Sequence, residues 1–465
     1  MERALLFSLA ALALSACAAV GPDYREPDTA PAVVRNAASP DFVAQSPEAA
    51  WWNQFDDATL NRLVTRALNA NLDLRIALDR VNAARAVFGE RQYDLGPHVP
   101  IEAGYSRSDQ QQAGLGSTRV DSDSVRLGFD TSWEIDLFGR VRRSIEAAQA
   151  DIGVQEAQLR DAQITVAAEV ARHYFELRGT QKRLAIARRD RDSEVKTLEL
   201  TQLRFDAGRV TELDVQRSRA RLESVTASIP LLEADEKRGY YRLAVLLGQR
   251  PGALDAELAP AVVPTYAKAL AVGDVSELLR RRPDVRAAER EFAAATARVG
   301  IATADLFPRV SITGFIGFLS GDIGQIFNTG SDDARAWSVA PTVRWAAFDM
   351  GAVRARLRAS QSLSDVAAAN YEKAVLNALE DTENRFVAYA SQQARLKHLS
   401  QQAAASRIAA ELAAIQYREG VTDFLVLLDA QRTQLEAEDA VAQAEAAVNV
   451  SVAAIYKALG GPGRS

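Results

Sequence analysis

A single cysteine, Cys17, stands in 465 residues, which excludes an intramolecular disulfide framework. Histidine is nearly as scarce. His98, His173 and His398 are scattered along the chain, so they assemble no recognisable zinc constellation. Past the first sixteen residues there is no run of 18 or more apolar residues, so no transmembrane helix is available. A membrane-spanning role would therefore require a β-barrel. Charge of one sign is not in excess either. The 55 basic and 61 acidic residues give a net charge of −6, which argues against nucleic-acid binding through bulk charge. Gly114-Leu115-Gly116-Ser117-Thr118 has the composition of a phosphate loop but lacks its lysine and following helix, so a surface loop is expected. Carboxylate pairs abound on helical stretches, but sequence spacing does not set two of them across a cleft. Neither an enzyme nor a bound cofactor is expected.

What is present begins with a leader. Arg3 is followed by an apolar run from Ala4 to Leu14, and the small residues Ser15 and Ala16 precede Cys17. This pattern reads as a secretory signal over residues 1–16. Leu14-Ser15-Ala16-Cys17 resembles the bacterial lipoprotein signal, which implies a covalent lipid on Cys17. Residues 17–50 are rich in Ala, Pro and Asp without periodicity and read as an extended, lipid-anchored tether.

The remainder makes one long statement twice. Phe205-Asp206-Ala207-Gly208 with Leu213 and Val215 recurs as Tyr417-Arg418-Glu419-Gly420 with Leu425 and Leu427. Pro97-His98-Val99-Pro100-Ile101 recurs as Pro308-Arg309-Val310-Ser311-Ile312, and Trp133 to Arg142 as Trp345 to Arg354. The offsets are 211 or 212 residues, the mark of a duplicated structural unit. The division expected is a first repeat over 51–250, a linker or equatorial region over 251–280, a second repeat over 281–459 and a tail over 460–465.

Each repeat reads helix, strand pair, long helices. Alternating apolar positions predict strands at about 99–107 and 124–136, then at about 310–318 and 336–347. Strands of about ten residues with terminal Trp or Tyr fit an outer-membrane barrel with its aromatic girdle. Pro341 is awkward in a central strand. Which strand parity would face lipid is left open, with Val125, Leu127 and Phe129 the lipid-facing candidates. Four strands cannot close a membrane barrel, which starts at about eight, whereas three chains would supply about twelve. From Arg140 to Arg204 there is no proline, and about 65 helical residues would extend roughly 100 Å. Val195, Leu198, Gln202 and Phe205 follow a heptad-like spacing, as do Leu222, Val225, Ile229 and Leu232, and again Ala405, Ile408, Leu412 and Ile415. Such periodicity specifies coiled-coil packing. Gly208 and Gly420 sit where helices reverse, as a left-handed residue past a helix end would.

Together these features resemble the outer-membrane factor family, the TolC-like exit ducts, and within it the lipidated OprM-like efflux proteins. The resemblance covers nearly the whole mature chain. It is carried by Cys17, Val20-Gly21-Pro22-Asp23-Tyr24, Trp51-Trp52 and Trp133-Glu134-Ile135-Asp136-Leu137-Phe138-Gly139-Arg140. It continues through Arg282-Pro283-Asp284-Val285, Ala304-Asp305-Leu306-Phe307-Pro308, Tyr417 to Gly420 and Leu427-Leu428-Asp429-Ala430-Gln431-Arg432. It implies an α+β membrane protein in which four transmembrane strands per chain close a twelve-stranded β-barrel as a homotrimer. Long coiled-coil helices would continue this as a periplasmic α-barrel. The implied function is passage of small molecules such as drugs to the exterior. The implied partners are a periplasmic adaptor protein, an inner-membrane pump and outer-membrane lipid, with no nucleic acid. It also implies a periplasmic gate, to which Leu425 and Asp429 correspond, with Arg432 as a partner in the closed state. A periplasmic coiled-coil lipoprotein adaptor without a pore is the alternative. It explains Cys17 and the heptads but not two strand pairs at matched offsets.

Overall fold

Long stretches rich in alanine and, apart from Pro230, free of interior proline form the long helices, and alternating stretches ending in turn residues form strands. The structure, a computed structural model, describes residues 19–27, 34–45, 48, 50–111, 119–264, 269–326 and 334–461. The signal stretch, Cys17 and the Gly114–Thr118 loop lie outside the described residues. The order is β1 (Phe42–Val43), α1 (Ala58–Ala70), α2 (Leu72–Tyr93), β2 (Ile101–Gln111), β3 (Arg119–Ile135), α3 (Arg140–Asp206) and α4 (Glu212–Leu246). There follow β4 (Leu270–Ala271), α5 (Val275–Arg281), α6 (Pro283–Ala304), β5 (Arg309–Ser320), β6 (Arg335–Arg344), α7 (Met350–Arg418) and α8 (Phe424–Ala458). Among the described residues no helix is long and apolar enough to cross a membrane.

The chain forms two compact units, each drawn from both halves of the sequence. The first comprises the N-terminal residues to Asp28, Asp79–Glu156 and Ala287–Glu372. Its centre is an antiparallel sheet in the order β2-β3-β5-β6. The two strand pairs are anchored alike at their helical ends. Trp133 Nε1 donates to the Leu95 carbonyl at 3.0 Å, and Trp345 Nε1 to the Leu306 carbonyl at 3.0 Å. Phe138, after the first strand pair, and Phe307, before the second, stack with centroids 4.6 Å apart. The N-terminal strap docks here too. The Arg143 guanidinium is buried, pairs with Asp23 at 2.7 Å and donates to the carbonyls of Val20 and Gly21.

The second unit comprises Thr29–Leu78, Ala157–Arg286 and Lys373–Ser465. Helix α1 starts at Asp57, whose carboxylate caps Thr59 N at 2.8 Å and Leu60 N at 3.1 Å. It buries Leu60, Leu63, Val64 and Ala67 on one face. Trp51 stacks on Tyr456, Phe55 packs on Phe175, and Phe42 stacks on Phe386. Strands β1 and β4 pair in parallel, and the buried Gln181 amide donates to Tyr240 and to the Leu258 carbonyl.

Two expectations shift. The first sheet ladder runs to Gln111 and begins its return at Arg119, beyond the apolar alternation. Diagonal cross-strand pairs Arg107–Asp121 at 2.5 Å and Arg119–Asp109 at 2.9 Å hold that polar end, offsetting the like charges of Asp109 and Asp121, which stand directly opposite. The heptads also shift on α3 and α7. The residues buried within the chain are Glu194, Thr197 and Thr201 on α3, and Ala403, Ser406, Ala410, Ala413 and Tyr417 on α7. The apolar stripe of Val195 and Phe205, and that of Ile408, Leu412 and Ile415, are exposed in the single chain. Helix α4 keeps the expected seam, burying Val225, Ile229 and Leu232. Apolar periodicity marks a face to be covered, not which neighbour covers it.

Candidate functional site

Strand register sorts the sheet into two unlike faces. Ile101, Phe129, Ile316 and Trp337 are cross-strand partners in one row, and all four are exposed. Ala103, Leu127 and Phe318 form the next row, which ends at Arg335 on β6, and Val310 and Val343 lie further along the same face. The opposite face carries Glu102, Arg126, Asp130, Ser132, Glu134, Ser311, Thr313 and Thr342. An apolar face and a polar face alternating along each strand are what lipid on one side and water on the other demand. The odd parity of β3, with Val125, Leu127 and Phe129, is the apolar one. Pro341 falls on β6 opposite Ile312, on the strand that ends this sheet in the single chain.

The helix tips lie at the far ends of two hairpins, α3–α4 and α7–α8. Gly208 has φ +65° and Gly420 φ +75°. At the first tip Gly208 N donates to Phe205 O and Arg209 N to Arg204 O; at the second, Gly420 N donates to Tyr417 O and Val421 N to Gln416 O. This repeated pair of bonds closes a helix end over a left-handed residue, where glycine carries no Cβ penalty. Thr211 and Asp214 then form a reciprocal capping box for α4, starting the helix promptly after the turn.

Leu425 lies in the first turn of α8 and is 51% exposed. Asp429 and Arg432 pair at 3.0 Å, one helical turn apart and both exposed, and Arg432 is 3.9 Å from Glu436. Such an exposed pair contributes only a few tenths of a kcal/mol. Sequence reasoning did not single out the contacts that bind the second tip to α3. The Tyr417 hydroxyl lies 3.4 Å from Thr201 Oγ1, and the Arg204 guanidinium sits 4.4 Å over the Tyr417 ring while donating to the Arg418 carbonyl at 2.9 Å. Gln431 Nε2 donates to Thr197 Oγ1 at 3.2 Å. Tyr417 packs with Ala413, Phe424 and Leu427. The signal was the exchange of Phe205 for Tyr417 between the copies, which adds a hydroxyl where one partner can take it.

Further up the first hairpin, Arg221 reaches two carboxylates, Glu194 at 3.3 Å and Asp190 at 3.4 Å. Burial, and then the neighbouring Asp190 charge, push Glu194 up to about 7. Burial also raises Asp190. On α8 burial would raise Glu438 as well, but hydrogen bonding from Gln434 and the guanidiniums of Arg189 and Arg407 outweigh it and lower its pKa. Among the described residues no group of three or more His, Cys, Asp or Glu could hold a metal ion.

The two-faced sheet, the long paired helices and the duplicated tips define an outer-membrane channel of the efflux type. The family model for outer membrane efflux protein matches residues 63–249 and again 275–461, the two matches 212 residues apart, and this chain belongs to that family. It is 32% identical over 457 residues to outer membrane protein OprJ of Pseudomonas aeruginosa, covering 97% of this chain and 94% of that one. To the toluene efflux pump outer membrane protein TtgI of Pseudomonas putida it is 32% identical over 410 residues, covering 88% and 86%. The solved outer-membrane channel OprN superposes with a TM-score of 0.89 at 50% identity, covering 95% of this chain and 99% of that one. The protein is an outer-membrane efflux protein with the fold of that family.

Proposed function

We propose that the chain is the exit duct of a tripartite efflux system and works as a homotrimer. It takes small molecules such as drugs or toxic compounds from an inner-membrane pump and a periplasmic adaptor. It performs no covalent chemistry; the substrate passes through. The observation that carries this reading is the four-stranded sheet with one apolar and one polar face and edges at β2 and β6. In lipid every strand edge must be paired, and closed barrels begin at about eight strands, so several copies must join edge to edge. Three copies give about twelve strands. The exposed apolar stripes on α3 and α7 support the same conclusion, because adjacent subunits would cover them. The units at 51–250 and 281–459 then act as duplicated halves that double the strands and helices each chain brings.

The gate of this duct is the second tip. Three copies of Leu425 narrow the tunnel, and three copies of Asp429 form an anionic ring whose mutual repulsion Arg432 offsets. The contacts of Tyr417 with Thr201 and of Arg204 with the Arg418 carbonyl hold it shut. Opening moves the helices after Gly420 outward, driven by adaptor contacts made better in the open state. Cys17 carries a covalent lipid that adds to the barrel's own anchorage, at about 0.8 kcal/mol per buried methylene.

Native mass spectrometry of the detergent-extracted protein, with peptide mapping of its N-terminus, tests the assembly. Three copies, each beginning with an acylated Cys17, are expected. A stable monomer would contradict the duct, and a free Cys17 thiol would contradict the anchor.

A further inference from the structure

The polar face of the sheet carries one aromatic side chain among the described strands, Phe315, and its surroundings are built to hold it. Asp130 is its direct partner on β3. The ring lies over Gly128 and Gly317, which are themselves cross-strand partners. A Cβ on Gly128 would stand 2.5 Å from the ring, and one on Gly317 would stand 2.4 Å from Gly128 Cα and 3.0 Å from the ring. Only a glycine pair leaves room for the ring to lie flat on the strands. So placed, Phe315 is buried on a face made mostly of small and polar residues, with the exposed Leu319 opposite Arg126. The Arg126 guanidinium sits 3.9 Å over its face, pairs with Asp130, and approaches Glu102 to 4.0 Å. Ring and carboxylates thus hold one cation from different sides. The attraction of a guanidinium for a ring face depends on that geometry.

On the exit-duct reading, on which this rests, the polar face lines the barrel lumen. We propose that Arg126 is a selectivity-determining residue of that lumen, positioned by Phe315 on its glycine shelf, and that it tempers the barrel's preference for cationic solutes. The charges at this level are Glu102, Asp130 and Arg126, a net −1 per chain. Removing the arginine leaves −2 per chain facing the same water. A passage lined by one sign of charge concentrates the opposite ion, so selectivity should follow that count. The ring acts through Arg126: without it the guanidinium, already paired with Asp130, loses the contact that fixes where it stands over the strands, and its field no longer reaches the lumen in the same place.

The test is the reversal potential of trimers in planar bilayers under a potassium chloride gradient. It is made in the Leu425→Ala/Asp429→Ala background so that the tip does not dominate the resistance. Arg126→Gln should shift the potential toward the potassium equilibrium value, and Glu102→Gln should shift it the opposite way. Arg126→Lys, which keeps the charge, should stay close to the parent. Phe315→Leu should move it in the direction of Arg126→Gln by a smaller amount, a readout that loss of packing alone would not change. A potential unmoved by both Arg126→Gln and Glu102→Gln, in trimers that conduct, would overturn this inference and leave the duct intact. Intact parent trimers that carry no current would overturn the duct reading and this inference with it.

Discussion

The two helical hairpins share a turn and differ in their seams. Gly208 and Gly420 close their helices with the same hydrogen bonds. Behind the first turn, α3 buries Glu194, Thr197 and Thr201, and Phe205 stays 37% exposed. At the positions 212 residues on, α7 has Ser406, Ala409, Ala413 and Tyr417, and Tyr417 is 1% exposed. Small residues let helices approach closely, so a tyrosine can plug the end of that seam. A buried carboxylate with one shared guanidinium keeps the other seam polar and sensitive to protons. The two copies thus share one turn and fill their seams differently.

The largest expected difference between the hairpins is at the aromatic position. Tyr417→Ala should cost about 3–5 kcal/mol, as truncation of a fully buried ring does, read as a lower temperature of trimer dissociation. Phe205→Ala should cost clearly less; equal costs would erase the distinction. Next comes the carboxylate. Glu194 titrates at about 7 in the folded protein and near 4.3 when unfolded. Its contribution is therefore full below the unfolded value and is lost as pH rises through 7, on the order of 3 kcal/mol per chain. Thermal stability should fall between pH 5 and pH 8, and Glu194→Gln should flatten that slope. The smallest effect should be the shared one. Gly208→Ala and Gly420→Ala should each cost roughly 1–2 kcal/mol, because both hold left-handed backbone, and calorimetry should find them alike.

Much of this was legible in the sequence. The offset of 212, the four strands, the long helices and both tip glycines follow from periodicity and turn chemistry, which are local. Strand ends were not legible where Arg107, Asp109, Arg119 and Asp121 extend the ladder by charge pairing rather than apolar alternation. The parity of the sheet emerged only from register, since alternation sorts residues into two sets without ranking them. The heptad of Val195 and Phe205 marked a real apolar stripe, yet the chain buries the adjacent Glu194, Thr197 and Thr201 instead. The contact of Thr201 with Tyr417 joins residues 216 apart, and no local pattern announces such a pairing.

The proposed gate is the second tip and not the first. The most direct measurement is the single-channel conductance of purified trimers in planar bilayers, comparing Leu425→Ala/Asp429→Ala with the matching first-repeat pair, Leu213→Ala/Arg217→Ala. A conductance raised by the second-repeat pair and unchanged by the first-repeat pair is predicted, with both variants still trimeric. Unchanged conductance in the second-repeat variant, or an equal rise in both, would contradict it.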